Sequence, residues 1–382
     1  MSSFPAKGIE IREVAGKKAL DTFIRVPWNI YKDDPNWIPP LLFERKEAFS
    51  SKHPFFKHAI WRAWIAYQDG KPVGRISAQI DELHQQRYNN KTGFFGLIEA
   101  PDDPEVFSAL FEAAENWLRG KGMLRVIGPF NLGINQEIGI LTEGFDTPPF
   151  VMTSHSARYY GAAIEACGYQ PAQQLLAYEL SIDTYAIPTM MPDLLDRIGQ
   201  RVKVRPLTSK TAETDLEIMR DIFNDAWQDN WNFVPFTEEE FRAVGKELLM
   251  VVPDGFIQIT EIDGEPAAFI VLLPDINSVI ADLNGRLLPF GWAKILWRLK
   301  VGFPKKCRIP LMGVRKKYQN SMFGPAMAYM LIGAVLTPGI ARGGEHVEMS
   351  WILDSNKATK KIIEKFGGVI TKRYWMYEKD LS

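Results

Sequence analysis

The sequence predicts an α/β protein that consists of two copies of one domain, each a mixed, mostly antiparallel sheet flanked by helices. The first observation is an internal repeat. The alternating segment Ile9–Val14 returns as Val202–Leu207, and 193 residues separate Arg12 from the matching Arg205. The second observation is that each copy intersperses apolar alternations typical of strands with segments of helical periodicity. Together they predict a tandem α/β architecture.

Each copy contains a strand pair joined by an Asp-Gly turn, at Asp69-Gly70 in the first copy and at Asp263-Gly264 in the second. Asp-Gly between apolar alternations is the strongest short hairpin signal. Each copy then closes with a helix ended by glycine and a final strand. The predicted order in each copy is β–α–(α)–β–β–β–α–β–α–β. We place the two domains at residues 1–185 and 186–382.

Composition excludes several classes of protein. The 382 residues include 45 Lys and Arg against 46 Asp and Glu, so we expect no bulk electrostatic binding of nucleic acid; the alternative is a local basic patch. Cys167 and Cys307 lie far apart and near no His-rich cluster, which predicts no metal site and no disulfide, and favours a reducing cytoplasm. The N-terminus lacks the apolar core of a signal sequence, and no uninterrupted apolar stretch has the length of a bilayer span. We expect a cytoplasmic protein, at most peripheral to the inner membrane face.

The last third of the second copy resembles the GCN5-related N-acetyltransferase (GNAT) superfamily. The resemblance is carried by Leu311–Val314, the loop RKKYQNSMFGPAMAYMLIGAV, the strand EHVEMSWILDSN and the helix NKATKKIIEKFGG. It implies that the strand ending at Val314 splays from the strand that contains Glu348, with acyl-CoA in the wedge and its pyrophosphate on amides at a helix N-terminus. The residues that the resemblance assigns to acyl-CoA are Met312, Gly313, Val314, Arg315, Lys316, Lys317, Gln319, Asn320, Ser321, Met322, Phe323, Gly324 and Asn356.

The phosphate-binding loop departs from the superfamily pattern Arg/Gln-x-x-Gly-x-Gly/Ala at one position. Gln319 and Gly324 match, but Met322 stands where the first glycine belongs. Glycine permits the closest approach of backbone to phosphate, so this change predicts a weaker, reshaped or lost site. The run Arg315–Lys317 supplies positive charge that partly compensates. The alternative is an ordinary surface loop whose charges are solvated.

The equivalent loop of the first copy carries carboxylates instead of cations. Asp102 and Asp103 precede Pro104, a sequence typical of a helix N-cap. Carboxylates there would occupy the amides and repel phosphate. We therefore expect acyl-CoA only in the second domain, and a degenerate first domain with an acceptor-binding or structural role.

Nearly the whole chain is similar to a bacterial family of tandem GNAT-like proteins, through segments such as WRAWIAYQDGKPVGRISAQID, GPFNLGINQEIGILTEGFDTPP and NDAWQDNWNFVPFTEEEF. A bacterial ceramide synthase looks like a relative. The resemblance implies an acyl-CoA-dependent N-acyltransferase that acts on an amine, and it suggests a long-chain donor and a lipid amine. The alternatives are a non-catalytic tandem-GNAT binding protein and an aminoacyl or peptidyl transferase of the cell-wall type.

Amide formation from a thioester needs a base, and Glu348 is the best candidate because it lies on the strand expected to open beside the reactive carbonyl. Alternation places Glu348 and Ser350 on one face of that strand. The alternative is that Glu348 only pairs with a nearby Arg or Lys. The tyrosine that serves as leaving-group acid in the superfamily is replaced here by Ile363. Tyr374 or Tyr377 could substitute, although packing in a terminal strand is the other interpretation.

The acceptor candidates are polar or aromatic residues in loops and strand ends near the predicted wedge. They are Asp229, Asn230 and Trp231, Asp275 and Asn277, and Trp351. Asp and Asn are also standard turn residues, so Asp275 and Asn277 have a structural interpretation as well. In the first copy, a lone His155 is more typical of a structural histidine than of a catalyst.

The segment 288–300 predicts an amphipathic helix from about Pro289, with an apolar stripe that includes Trp292 and with Lys294 and Arg298 on the opposite side. Tryptophan beside basic residues is typical of an interfacial helix, which can contact an anionic membrane surface or an acyl chain. The alternative is an insertion that packs on the domain with its tryptophans buried. We expect peripheral membrane contact here and a long-chain rather than an acetyl donor.

Overall fold

Two interleaved units make up the chain. A computed structural model describes residues 8–185 and 201–382, together with Asp193 and Ile198. Unit 1 comprises Met1–Leu175, Leu283–Leu287 and Lys372–Ser382, and unit 2 comprises Leu176–Asp282 and Leu288–Thr371. The ranges 1–185 and 186–382 stay a prediction about the repeat, whereas the compact units exchange segments along the chain.

The first half of the chain alternates strands and helices as predicted. Its strands are β1 (Ile9–Glu13), β2 (Ala59–Gln68), β3 (Lys71–Asp81), β4 (Thr92–Glu99), β5 (Arg125–Gly128), β6 (Phe130–Asn131), β7 (Glu137–Ile138), β8 (Ile140–Glu143) and β9 (Gln170–Ser181). Its helices are α1 (Gly16–Ile30), α2 (Leu42–Ala48), α3 (Glu82–Tyr88), α4 (Pro104–Gly120) and α5 (Tyr160–Ala166), with a 3₁₀ turn at Pro54–Lys57.

The second half repeats this alternation. Its strands are β10 (Val202–Pro206), β11 (Ile257–Ile262), β12 (Glu265–Pro274), β13 (Lys306–Val314), β14 (His346–Leu353) and β15 (Val369–Asp380). Its helices among the described residues are α6 (Ala212–Trp227), α7 (Glu238–Val251), α8 (Ile276–Ile280), α9 (Gly291–Lys300), α10 (Lys316–Gln319), α11 (Phe323–Ala341) and α12 (Lys357–Lys365).

The two Asp-Gly hairpins are where the sequence predicts them. Asp69 and Gly70 join β2 to β3, and Asp263 and Gly264 join β11 to β12. All four residues have positive φ, between 51° and 87°. Positive φ at both central residues defines the type I′ turn, whose twist matches that of the flanking strands.

Each unit contains a mixed sheet in which antiparallel neighbours are joined by a parallel pair. In unit 1 the order is β1-β2-β3-β4-β5, followed by the residues of β15 that belong to this unit. In unit 2 the order is β10-β11-β12-β13-β14, followed by the end of β9. The parallel pairs are β4–β5 and β13–β14. The predicted fold class, tandem α/β domains with mostly antiparallel sheets, is confirmed.

The final strand of each half therefore completes the sheet of the other half's unit. Tyr377 pairs with Gly128 of β5 in unit 1. At the end of β9, the Glu179 carboxylate lies 2.9 Å from His346 Nδ1 in unit 2. The repeat shows that each half has a final strand, but it does not show which sheet receives it.

Helices cover the sheets and close the cores. In unit 1, α4 packs against β1, β2 and β3. In unit 2, α11 packs against β10 to β13 and supplies Met327 and Leu331 to the core. Among the helices that the structure describes, α11 is the one long and apolar enough to cross a membrane, yet 56% of its most apolar window is buried. Burial of that extent is what a core helix shows.

Candidate active site

The parallel strands of unit 2 separate part-way along their length. Lys306–Ile309 of β13 pair with His346–Met349 of β14. Both strands continue beyond these pairs, to Val314 and to Leu353. Pro310 follows the last pair, and proline has no N–H to donate to a ladder. The strands thus enclose a wedge that opens toward their carboxyl ends, as the resemblance implies.

The open edge of β13 carries backbone groups. Arg315 N–H donates to Ala267 O on the β12 side of the strand. In an antiparallel pair, hydrogen-bonded and non-hydrogen-bonded residues alternate. By this alternation, the N–H and C=O groups of Met312 and Val314 face away from β12, toward the wedge. Both residues are among those that the resemblance assigns to acyl-CoA.

Side chains already use the two carbonyls on this edge. Trp227 Nε1 at the end of α6 donates to Met312 O at 3.0 Å. Gln319 Nε2 donates to Val314 O at 2.9 Å and also to Ala226 O. These bonds fix the end of α6 against the mouth of the wedge and occupy the two carbonyls on this edge.

The loop after β13 folds into α10 and then enters α11. Gly324 is required by close packing, because a Cβ atom there would lie 2.7 Å from Tyr318 O. Met322, which replaces the first glycine of the superfamily pattern, is 43% exposed at the N-terminus of α11. Its side chain therefore points to solvent, and the predicted obstruction of phosphate by this residue stays a prediction.

Each cation of the run Arg315–Lys317 lies beside a carboxylate: Arg315 beside Asp221 at 2.6 Å, Lys316 beside Asp229 at 2.5 Å and Lys317 beside Glu265 at 3.2 Å. The two lysines are half-exposed. Exposed pairs of this kind contribute little to stability because water screens them. A phosphate can therefore replace the carboxylates at small cost. Arg315 and Lys317 also line an open cavity of about 380 Å³, together with Asp225, Glu265 and Pro266.

A buried polar cluster lies at the vertex of the wedge. Glu348 is fully buried, and its Oε1 lies 3.6 Å from Nε of Arg308, the residue opposite it on β13. Ser350 Oγ donates to Glu348 Oε1 at 2.5 Å, and Arg308 Nε donates to Ser350 Oγ at 3.0 Å. The Arg308 guanidinium also stacks over the Trp351 ring, 5.0 Å from its centroid. The pairing that the sequence left open as an alternative for Glu348 is therefore present.

Tyr374 and Tyr377, the predicted leaving-group acids, lie on the part of β15 that belongs to unit 1. Both are buried and belong to unit 1, where Tyr374 pairs with Leu141 of β8 and Tyr377 with Gly128 of β5. Burial raises the pKa of the Tyr377 hydroxyl, further raised by Glu165. The repeat places both tyrosines in the second domain, whereas the structure assigns them to unit 1. Their role as leaving-group acids stays a prediction.

Asp275 and Asn277 lie at the wrong end of β13 for an acceptor site. Asp275 N donates to Lys306 O at the start of β13, whereas the wedge opens at the strand's far end. Asp275 is buried and its Oδ2 accepts from Ser278 N at 3.3 Å, so it caps α8. Asp275 therefore has the structural role that the turn interpretation predicts.

The remaining predicted residues lie in the segments that follow α6, β13 and β14. Asp229, Asn230 and Trp231 follow α6, whose end contacts β13. Asn356 caps α12 through its Oδ1, which accepts from Thr359 N at 3.1 Å. Asn320, Ser321 and Phe323 belong to the turn between α10 and α11, in which the Ser321 hydroxyl donates to Tyr318 O and accepts from Phe323 N.

The equivalent wedge of unit 1 is closed. A Cβ atom on Gly96 of β4 would lie 1.9 Å from Phe130 O, so the segment after β5 lies directly against β4. Leu97 N donates to Asn131 Oδ1 at 2.8 Å, which occupies the amide on this edge. Asp103 accepts from Glu105 N and caps α4, as the sequence predicts.

Unit 1 carries a buried polar network that sequence patterns do not connect. Glu99 Oε2 accepts from the hydroxyls of Tyr31 at 2.7 Å and Tyr160 at 2.8 Å. Burial raises the pKa of Glu99, opposed by Arg75. His155 Nε2 lies 2.8 Å from the Asp34 carboxylate. Only the concentration of Tyr and His before α5 hinted at this network, and its partners come from distant parts of the chain.

Comparisons with known proteins identify the family. The chain is 49% identical over 371 residues to protein YghO of Escherichia coli (strain K12), covering 97% of this chain and 95% of the relative. It is 45% identical over 365 residues to bacterial ceramide synthase of Caulobacter vibrioides, covering 95% of each. The chain belongs to the bacterial tandem GNAT-like family that contains this ceramide synthase. It is an acyltransferase. No protein-family model matches it.

Solved structures of this family's fold agree with the architecture. A tandem GNAT protein from the clavulanic acid biosynthesis pathway covers 98% of this chain and 99% of its own, with a TM-score of 0.59 and 11% identity. A GCN5-related N-acetyltransferase from Sphaerobacter thermophilus covers 97% and 96%, with a TM-score of 0.54 and 11% identity. At such low identity these matches concern the fold alone.

Proposed function

We propose that this acyltransferase uses acyl-CoA as donor, bound in the wedge between β13 and β14, and transfers the acyl group to an amine. The observation that carries the proposal is the end of strand pairing at Ile309 and Met349 while both strands continue. This separation leaves the amides of Met312 and Val314 on an open edge. Amides held in that way can donate to a thioester oxygen as negative charge develops on it.

The contrast between the two wedges supports a single donor site. In unit 1 the edge of β4 is covered by Phe130, and Asp103 already accepts from an amide at the N-terminus of α4. In unit 2 the N-terminus of α11 follows a run of three cations. Positive charge beside helix amides favours a pyrophosphate, and carboxylates oppose it.

The buried cluster gives the reaction a proton acceptor. The amine nitrogen attacks the thioester carbon, the C–N bond forms and the C–S bond breaks, with the electron pair leaving on the CoA sulfur. The ammonium proton passes to Ser350 Oγ while the Ser350 proton passes to Glu348 Oε1, along the hydrogen bond that already joins them. Arg308 Nε lies 3.6 Å from the same carboxylate oxygen and also donates to Ser350 Oγ, so it holds both groups in place. Solvent then protonates the CoA thiolate.

The acceptor in this proposal is a lipid amine and the donor carries a long chain. The relative named ceramide synthase supports this choice. Met322 is exposed at the start of α11, with Phe323 and Met330 half-buried along the same helix. Methionine and aromatic side chains adapt to a flexible chain, and each buried CH₂ contributes about 0.8 kcal/mol. Fully buried Met327 instead closes the core. A cytoplasmic location beside the membrane would bring enzyme and lipid together.

Calorimetry with acetyl-CoA and palmitoyl-CoA, below the concentration at which micelles form, tests the donor site. The change is Lys316→Glu with Lys317→Glu, and the matched control is Lys210→Glu with Lys246→Glu, which alters the same charge at exposed sites. We expect the first pair to weaken CoA binding, less so in high salt, and the control to bind normally.

Three results would contradict parts of the proposal. Equal affinity of the two variants would move the cofactor elsewhere. Equal affinity for acetyl-CoA and palmitoyl-CoA would remove the long-chain donor. Binding of acyl-CoA without transfer to any long-chain amine would favour the alternative of a non-catalytic binding protein.

A further inference from the structure

Helix α9 presents an exposed apolar surface in unit 2. Six large apolar side chains between positions 288 and 301 are 48% to 78% exposed: Leu288, Phe290, Trp292, Leu296, Trp297 and Val301. Both tryptophans of the helix are among them, so the alternative of an insertion packed with its tryptophans buried is wrong. Contiguous exposed apolar surface of this kind marks an interaction site.

The protein body holds the polar side of this helix. Arg298 donates to both oxygens of Asp282, at 2.6 and 2.9 Å, and to Val279 O. Lys294 Nζ lies 3.2 Å from the same carboxylate. Downstream, the Phe303 ring packs edge-on against Phe256 in the core, with centroids 5.6 Å apart. The segment is therefore attached through its cations and through Phe303, and its apolar side chains are directed outward.

The charge around this surface selects its partner. Residues 288–306 contain five basic side chains, Lys294, Arg298, Lys300, Lys305 and Lys306, and no acidic one. Lys300 is exposed at the last position of the helix, and Lys305, five residues further on, is exposed with its Nζ 2.8 Å from the Glu345 carboxylate. A second copy of this chain would bring the same positive charges together. An anionic membrane surface attracts them and accepts tryptophan and leucine at the depth of its headgroups.

We propose that α9, with Leu288 and Val301 at its ends, docks this enzyme on an anionic lipid bilayer. The apolar side chains enter the interface, and Lys300 and Lys305 contact the headgroups. The helix has about three turns, so it lies in the plane of the interface and does not cross the bilayer. This proposal concerns where the enzyme works and is independent of which ligand occupies the wedge.

Flotation with vesicles tests the docking surface. Full-length protein is mixed with vesicles of phosphatidylcholine, with or without about one third phosphatidylglycerol. We expect the wild type to float with the anionic vesicles. Leu296→Glu with Trp297→Glu should reduce the bound fraction about tenfold or more, because a charge replaces each inserted apolar group. Lys300→Gln should reduce it about fivefold, and less so in high salt.

The matched control is Met250→Glu with Val369→Glu, which replaces two equally exposed apolar residues of unit 2. This control should float like the wild type, and all variants should have the melting temperature of the wild type. Failure of the wild type to float, or equal flotation of both double variants, would overturn the proposal. The proposal would also be overturned if light scattering showed that the wild type is a dimer and that Leu296→Glu with Trp297→Glu is a monomer. A second copy of the chain would then cover the surface. Calorimetry without vesicles tests the wedge separately, so the two proposals fail independently.

Discussion

Removal of one partner from the buried pair Arg308–Glu348 tests how unit 2 tolerates charge at the vertex of its wedge. Arg308 is 2% exposed and Glu348 is fully buried, with 3.6 Å between Arg308 Nε and Glu348 Oε1. Arg308→Met removes the guanidinium beside Glu348, and Glu348→Leu removes the carboxylate beside Arg308. In both cases water cannot reach the remaining charge.

The expected magnitude follows from this burial. Breaking a buried ion pair costs about 3–5 kcal/mol, whereas replacing both partners with apolar residues of similar volume is close to neutral. Each single variant should therefore lower the melting temperature by roughly 10 °C for a unit of this size. The double variant Arg308→Met with Glu348→Leu should be more stable than either single variant, with a coupling energy of at least about 2 kcal/mol.

Thermal and urea unfolding followed by circular dichroism measure the three variants against the wild type. The reasoning is refuted if either single variant lies within about 0.5 kcal/mol of the wild type, a range typical of surface substitutions. It is also refuted if the effects of the two changes simply add.

The same site has a catalytic readout. Glu348→Gln, assayed well below its melting temperature, should lower the rate of acyl transfer by about two to four powers of ten with little change in acyl-CoA affinity. Ser350→Ala should lower the rate as well, because it removes the hydroxyl that joins the substrate to Glu348. Wild-type turnover per folded molecule in Glu348→Gln would leave the residue with a structural role only.

Three further predictions concern packing and titration. Gly96→Ala should destabilise unit 1 by about 3 kcal/mol or more, because its Cβ would lie 1.9 Å from Phe130 O. Gly333→Ala, in open space on α11, should instead stabilise by about 0.5–1 kcal/mol, and urea unfolding measures both effects. Burial raises the pKa of Cys307 to about 12 and the pKa of Cys167 to about 11. At pH 8, mass spectrometry should therefore show slow labelling of half-exposed Cys167 by a thiol reagent, and labelling of Cys307 only after unfolding. Burial lowers the pKa of His155 below 6.5, so this side chain binds a proton more readily in the unfolded chain than in the folded one. The free energy of unfolding should therefore decrease as the pH is lowered from about 7 to about 5.5, and His155→Gln should weaken that dependence.

Local signals in the sequence predicted local structure well. The Asp-Gly turns, the cap at Asp103 and the helix after Pro289 depend on residues within a few positions of each other, and all are present. Periodicity also predicted the α/β class, because the apolar faces of strands and helices repeat within each element.

Contacts between distant segments could not be predicted in this way. The partner of Glu348 is Arg308, 40 residues earlier, and only the register of β13 against β14 brings the two together. The repeat places Tyr377 in the second domain, yet a repeat identifies a final strand without identifying the sheet with which it pairs. The network around Glu99 of β4 joins Tyr31, which follows α1, to Tyr160 of α5, and no sequence spacing connects these residues.

The exchange of final strands has a consequence for biosynthesis. Tyr377 completes the sheet of unit 1 beside Gly128, and 249 residues of chain separate them. At about 5–20 residues per second, a ribosome needs roughly ten to fifty seconds to produce that intervening chain. Throughout this interval β5 has an open edge, and open edges pair with other nascent chains. Unit 1 is encoded first but finishes folding last, so a message truncated shortly before its end yields a polypeptide that lacks a strand from its earliest-made sheet.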